Sequence, residues 1–288
     1  MKLVFIHGRA QGEKSETELM KDWGQAFDAG LRKAGLSRPP DLEIDLPFYG
    51  KTLDDLTARA AQGLISIIER GEGGIDAKAG EFEALLLRSI ANAAEISEDE
   101  IEKELPPGVV NRAPQNWEWV QALGRVISRR LPWFAELSIS RFTADVDAYT
   151  SNQAIRRRIN DAIRPQIPDA PCVVLAHSLG SIIGYWLLTE MAEAAKVKLL
   201  VTVGCPLGID VIKHRLPVPI GVPAGVEHWL NAVDERDPIA LCSRLDRKTF
   251  AAGIENITDL DNPRDHPHGI VGYLSDAAVA SRLHAALS

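Results

Sequence analysis

The chain has 288 residues, 45% hydrophobic and 25% charged, proportions of a globular protein with enough apolar sequence for a sizeable core. A net charge of −8 and a pI near 5.4 exclude the basic footprint of a nucleic-acid binder and give no support to anionic-membrane binding. The length suits one α/β domain carrying an insertion, or one and a half domains.

In chain order, Lys2-Leu3-Val4-Phe5-Ile6 reads as a strand running into His7-Gly8-Arg9. Ser15-Glu16-Thr17-Glu18 is a capping box that opens a helix with Leu19, Trp23, Phe27 and Leu31 on one face. Asp41–Leu46 alternates like a strand and ends at Pro47-Phe48-Tyr49-Gly50. Residues 51–150 carry helical patterns and no convincing strand. Leu53, Leu56, Ala60, Leu64, Ile67 and Ile68 mark one helix, and after Gly71–Gly74 another spans Asp76–Ala94. A second capping box at Ser97–Glu100 starts a short helix to Leu105, Pro106-Pro107-Gly108 breaks the chain, and a further helix runs from Pro114 to about Leu131. We expect this segment to be a helical cap, with 1–50 and 151–288 forming the core. Trp117, Trp119 and Trp133 are candidates to line an apolar substrate pocket; buried core is the alternative for each.

The second half alternates strands and helices as a parallel sheet requires. Strands are expected near residues 172, 199, 228 and 255, making six in all, and Asp276–Leu287 reads as a helix packed on the sheet. The most informative stretch is Ala176-His177-Ser178-Leu179-Gly180, between the buried strand pattern Cys172–Leu175 and the apolar helix pattern Ser181–Leu188. A serine on so tight a strand-to-helix turn needs small neighbours at −2 and +2, and the turn pushes its hydroxyl above the sheet edge. Such a serine needs a base to take its proton and an acid to orient the base. Downstream, Asp234-Glu235-Arg236-Asp237 ends one strand, and His266-Pro267-His268-Gly269 lies in the loop after another. Asp234 and Asp237 compete for the acid, and His266 and His268 for the base. Gly269 lets the chain turn just after His268, whereas His266 is pinned between Asp265 and Pro267.

These stretches together resemble the α/β-hydrolase superfamily, in particular its lipase and esterase branches. The resemblance covers residues 1–50 and about 170–288. It implies an α/β-hydrolase fold: a mostly parallel sheet of about six strands, helices on both faces and a helical insertion, without the two antiparallel strands with which the family usually begins. It also implies a serine hydrolase cleaving carboxylic esters, with Ser178 as nucleophile and the backbone N–H groups of Arg9 and Leu179 as oxyanion donors. The Asp-Glu-Arg-Asp run is similar to one in fungal-type lipases whose last Asp is the triad acid, which points to Asp237. The run His268–Tyr273 resembles the family's His-containing stretch before the last helix, which points to His268. An acyltransferase on the same residues, or a binding module that leaves them unused, are the alternatives. The expected partner is a small-molecule or lipid ester.

No metal or other cofactor is expected, because Asp261, Asp265, His266 and His268 lack helical or hairpin ligand geometry. Cys172, Cys205 and Cys242 have neither paired nor metal-like spacing. No apolar run approaches the roughly 18 residues of a membrane span, and no signal-peptide pattern precedes the first strand. The expected location is cytoplasmic.

Overall fold

Apolar strands buried on both faces are what a parallel sheet covered by helices requires. In the computed structural model, which describes residues 1–8, 14–58, 76–105, 117–130, 139–242 and 244–288, such strands form one six-stranded parallel sheet. They are β1 (Lys2–Ile6), β2 (Glu43–Asp45), β3 (Cys172–His177), β4 (Val197–Val203), β5 (Val226–Ala232) and β6 (Ile254–Ile257). All residues of β3 are buried, as are all of β1 but its first. The order is β2-β1-β3-β4-β5-β6. The chain leaves β1 toward one edge and proceeds from β3 toward the other, so a crevice opens between their carboxyl ends. In open α/β sheets this switch point is where ligands bind.

The chain divides into two compact units: Met1–Lys51, Arg157–Gly208 and Leu216–Ser288 form the sheet unit, while Thr52–Arg156 and Ile209–Arg215 form the other. In the sheet unit, Leu3, Phe5, Val173, Leu175, Val201 and Leu230 share a core with two helical faces. One is the Leu19, Trp23, Phe27 and Leu31 stripe of the helix Glu16–Lys33, whose Ser15–Glu18 capping box is formed. The other comes from the helices Ile270–Leu274 and Ala277–Leu287. The opposite sheet face takes the helix Leu179–Met191, whose Tyr185 ring lies 5.8 Å from that of Trp229. A buried polar chain ties the last three strands: Trp229 Nε1 donates to Thr202 Oγ1 (3.0 Å), Thr202 to Asn231 Oδ1 (3.1 Å), and Asn231 Nδ2 to Asn256 Oδ1 (3.1 Å). Asn256 also bonds the backbone N–H and carbonyl of Leu245, anchoring the segment that follows Asp237.

In the second unit the described residues hold helices and no strand. The helices include Asp76–Ala93, Glu98–Glu102, Trp117–Arg130, Ile139–Ser151 and Asp210–Lys213. The Ser97–Glu100 capping box is formed. Ile209–Arg215 belongs to this unit, where Arg215 pairs with Asp147 and sets its guanidinium 3.8 Å from the centre of the Phe82 ring. Ala60, Leu64, Ile67, Ile68, Gly71–Gly74, Pro106-Pro107-Gly108 and Pro114 lie outside the described residues. Among the described residues, no helix is long and apolar enough to cross a membrane.

Candidate active site

Ser178 follows β3 directly and is the N-cap of the helix Leu179–Met191, with φ 57° and ψ −128°. A non-glycine residue held at positive φ costs of order 1–3 kcal/mol and persists only when its surroundings over-determine it. Here they do. A Cβ on Gly180 would press into the carbonyl oxygens of Ile6 and His7, so the +2 position must be glycine for β1 to lie this close. At −2, Ala176 packs toward Gly184, one helical turn past Gly180, where a Cβ would make only ordinary contact with the Ala176 methyl at 3.4 Å.

The structure brings Ser178, His268 and Asp237 into one hydrogen-bonded chain. Ser178 Oγ lies 2.9 Å from His268 Nε2, and His268 Nδ1 lies 2.7 Å from Asp237 Oδ2. A carboxylate only accepts, so Nδ1 carries the proton; in the neutral ring Nε2 then accepts from the serine hydroxyl. The three residues are 1, 4 and 2% exposed respectively, so water scarcely screens their interactions. Asp237 is held from all sides: Oδ1 accepts from the N–H groups of Ile239 (2.9 Å) and Ala240 (3.4 Å), and Oδ2 also accepts from Tyr273 Oη (2.6 Å). His266 is exposed and makes no part of this chain.

Asp234 sits three residues away with another task. Its carboxylate receives the Arg236 guanidinium (2.6 Å) and the N–H groups of Arg236 (2.8 Å) and Asn262 (2.7 Å). Burial pushes its carboxyl upward, but Arg236 and these N–H groups outweigh that and hold it below the ordinary value. Arg236 also binds Asp261 and the Asn262 carbonyl, and Asn262 Nδ2 donates to the Pro267 carbonyl (2.7 Å). Asp234 therefore clamps the turn carrying Asp237 to the loop carrying His268.

Two further histidines flank the chain. His177 Nε2 donates to the His268 carbonyl (2.9 Å), with the two rings 4.7 Å apart. Burial, then the neighbouring His268, lowers His177 well below the ordinary histidine value. His7 donates from Nδ1 to the Gly8 carbonyl (2.7 Å), accepts from the Tyr49 N–H (3.3 Å), and stacks on the Tyr49 ring at 4.0 Å. Burial lowers its pKa from 6.5 to about 4. A Cβ on Gly8 would lie 2.8 Å from Ser178 Cβ, so the start of the expected oxyanion loop abuts the serine. Arg9 lies outside the described residues. Leu179 opens the helix, where N–H groups have no intrahelical acceptor and favour negative charge.

Of the candidate pocket residues, Trp119 is buried in the helical unit with the Arg88 guanidinium 5.7 Å from its ring centre. Trp133 and the Trp117 side chain lie outside the described residues. Among the described residues, no group of three or more His, Cys, Asp or Glu side chains is placed to hold a metal ion. Sequence reasoning assigned no role to Gly204, Asn262 or Tyr273. Gly204 has φ +55°, and a Cβ there would lie 3.0 Å from both Asp237 Oδ2 and His268 Nδ1. A glycine directly after a buried strand is the one local sign of this crowding. The chain matches no protein-family model and no curated protein.

Two outcomes follow from this geometry. Gly204→Ala will displace His268 from Asp237 and remove nearly all reactivity of Ser178 toward a fluorophosphonate, while circular dichroism shows the fold retained. His7, with its folded pKa depressed, takes up its proton more readily in the unfolded chain, so stability is full above 6.5 and lost progressively as pH falls toward 4. The loss attributable to His7 is about 3 kcal/mol, and His177 adds to it in the same direction. Urea midpoints measured from pH 8 to 4 will fall in the native protein and fall less steeply in His7→Gln.

Proposed function

We propose that the protein is a serine hydrolase of the α/β-hydrolase kind that cleaves carboxylic esters through Ser178, His268 and Asp237. The observation that carries this reading is the continuous Ser178–His268–Asp237 hydrogen-bonded chain at the sheet's switch point. Strain at Ser178 lends it further support, since a positive φ on a buried serine serves no evident structural need.

In this reading Ser178 Oγ attacks the acyl carbon as His268 Nε2 takes its proton. The resulting oxyanion is bound by the Leu179 N–H and, as the family resemblance implies, the Arg9 N–H; one such donor lowers the barrier by about 3 kcal/mol. Collapse expels the alcohol, which leaves with the proton from His268, and an acyl ester remains on Ser178. Water then gives a proton to His268 and attacks the acyl carbon; the acid departs and Ser178 recovers its hydrogen. Asp237 keeps the imidazole in the tautomer that accepts from the serine, and stabilises the positive charge it carries between steps. An alcohol or thiol replacing water in the second half would make the enzyme an acyltransferase, which product analysis with a competing acceptor distinguishes. The helical unit is proposed as the cap that selects the acyl group.

Ser178→Ala will abolish fluorophosphonate labelling and hydrolysis of p-nitrophenyl acetate with the fold intact. Labelling that persists in this variant sinks the reading. The two aspartates will separate by kind of damage. Asp237→Asn will lower kcat by about three to four orders of magnitude, because the imidazole is then held in the wrong tautomer, with little change in melting temperature. Asp234→Asn loosens the Arg236–Asn262 clamp, so the melting temperature drops while residual kcat in the folded fraction stays within about tenfold, much as a lost charged hydrogen bond predicts. Severities in the reverse order would place the acid at Asp234.

A further inference from the structure

We propose that Tyr273 is a fourth, positioning member of the reactive chain, one that sets the basicity of His268 through the oxygen of Asp237 they share. The proposal rests on the hydrolase reading of Ser178, His268 and Asp237.

Tyr273 lies five residues after His268, in the helix Ile270–Leu274, and its side chain is fully buried. Its hydroxyl donates to Asp237 Oδ2 at 2.6 Å, the oxygen that His268 Nδ1 meets at 2.7 Å. The same hydroxyl accepts from the Asp234 N–H at 3.3 Å, so one phenol oxygen touches both ends of the Asp234–Asp237 turn. Burial, then Asp237, raises the phenol well above its ordinary value, so it remains a donor throughout the working range of a hydrolase.

Two donors on one carboxylate oxygen compete for its electron density. The tyrosine draws part of the negative charge toward itself and leaves less for His268 Nδ1. Stabilisation of the imidazolium is thereby moderated, and the ring returns its proton to the leaving alcohol more readily. Packing alone does not ask for this hydroxyl, since a phenylalanine fills the same volume. The charged and titratable groups facing His268 among the described residues are Asp237 from the turn after β5 and His177 from the end of β3. Tyr273 and Asp234 act on it only through Asp237 and its turn.

The test is the pH dependence of fluorophosphonate labelling in the full-length protein, with Ser178→Ala as the blank. Tyr273→Phe removes the competing donor, so the acid limb of the labelling rate moves to higher pH. At pH values on that limb this reads as a three- to tenfold slower reaction, with a much smaller change on the plateau. Incorporation of 3-fluorotyrosine at position 273 keeps the ring and hydroxyl, strengthens the donor, and moves the limb to lower pH. A merely structural tyrosine would lower the melting temperature in Tyr273→Phe and leave both limbs in place; that result, or shifts of the same sign in both variants, overturns the proposal. The low-field proton resonance of His268 Nδ1, titrated in the native protein and the fluorotyrosine protein, reports the same shift without catalysis. Native protein that is not labelled at Ser178 would refute the hydrolase reading, whereas this titration still decides the action of Tyr273 on His268.

Discussion

A single buried carboxylate organises this site. Asp237 is a charge with almost no access to water, and such a group is tolerated only when its lone pairs are filled. The donors that fill them come from different parts of the chain: two amides of its own turn, a tyrosine from the helix Ile270–Leu274, and His268 from the loop before it. Satisfying the charge therefore fixes the turn after β5 relative to the segment after β6. Moving either by an ångström would leave donors and acceptors unpaired in a region that cannot hydrate them, at about 1–3 kcal/mol for each group. The position of His268 is a consequence of that requirement.

The other half of the site is set by steric crowding. Three glycines follow or lie just beyond the carboxyl ends of β1, β3 and β4, and each permits one close approach. Gly8 lets the first loop touch Ser178, Gly180 lets the elbow sit on the carbonyls of Ile6 and His7, and Gly204 makes space for the Asp237–His268 pair. With the backbone this tightly confined, Ser178 has no room to relax its positive φ. The strain is held by neighbours from separate strands, which is how a sheet scaffold aims a short side chain that has little reach of its own.

What was legible in the sequence follows the range of the interactions concerned. The six strands, the two capping boxes and the elbow are local patterns, and each is found where its residues indicate. Ser178, Asp237 and His268 were readable as candidates because each sits at a strand end within a recognisable local run. Gly204, Asn262 and Tyr273 were not, since their importance arises from contacts with residues distant in the chain. Asp234 illustrates the limit well: from sequence it was a rival for the acid, and only the Arg236 and Asn262 contacts reveal a clamp. The helices Ile139–Ser151 and Gln153–Ile163 went unread although their pattern was legible: Phe142, Val146 and Tyr149, then Ile155, Ile159 and Ile163, are buried at helical spacing, and the Asn152 side chain caps the second helix. The tryptophans of the helical segment remained ambiguous, as one aromatic residue suits a core and a pocket equally.

Three histidines crowd the candidate site, and their surroundings differ. His7 faces a carbonyl acceptor and an amide donor, and His177 faces a carbonyl. Neither has a carboxylate partner, and burial keeps both rings neutral at ordinary pH. His268 alone is paired with a carboxylate, so in the proposed reaction the positive charge formed when it takes the Ser178 proton would settle there. A charged His177, with its ring 4.7 Å away, would oppose that charge directly. In the proposed reaction its neutrality would help to steer the proton: burial suppresses two imidazolium ions, and the third would form beside Asp237.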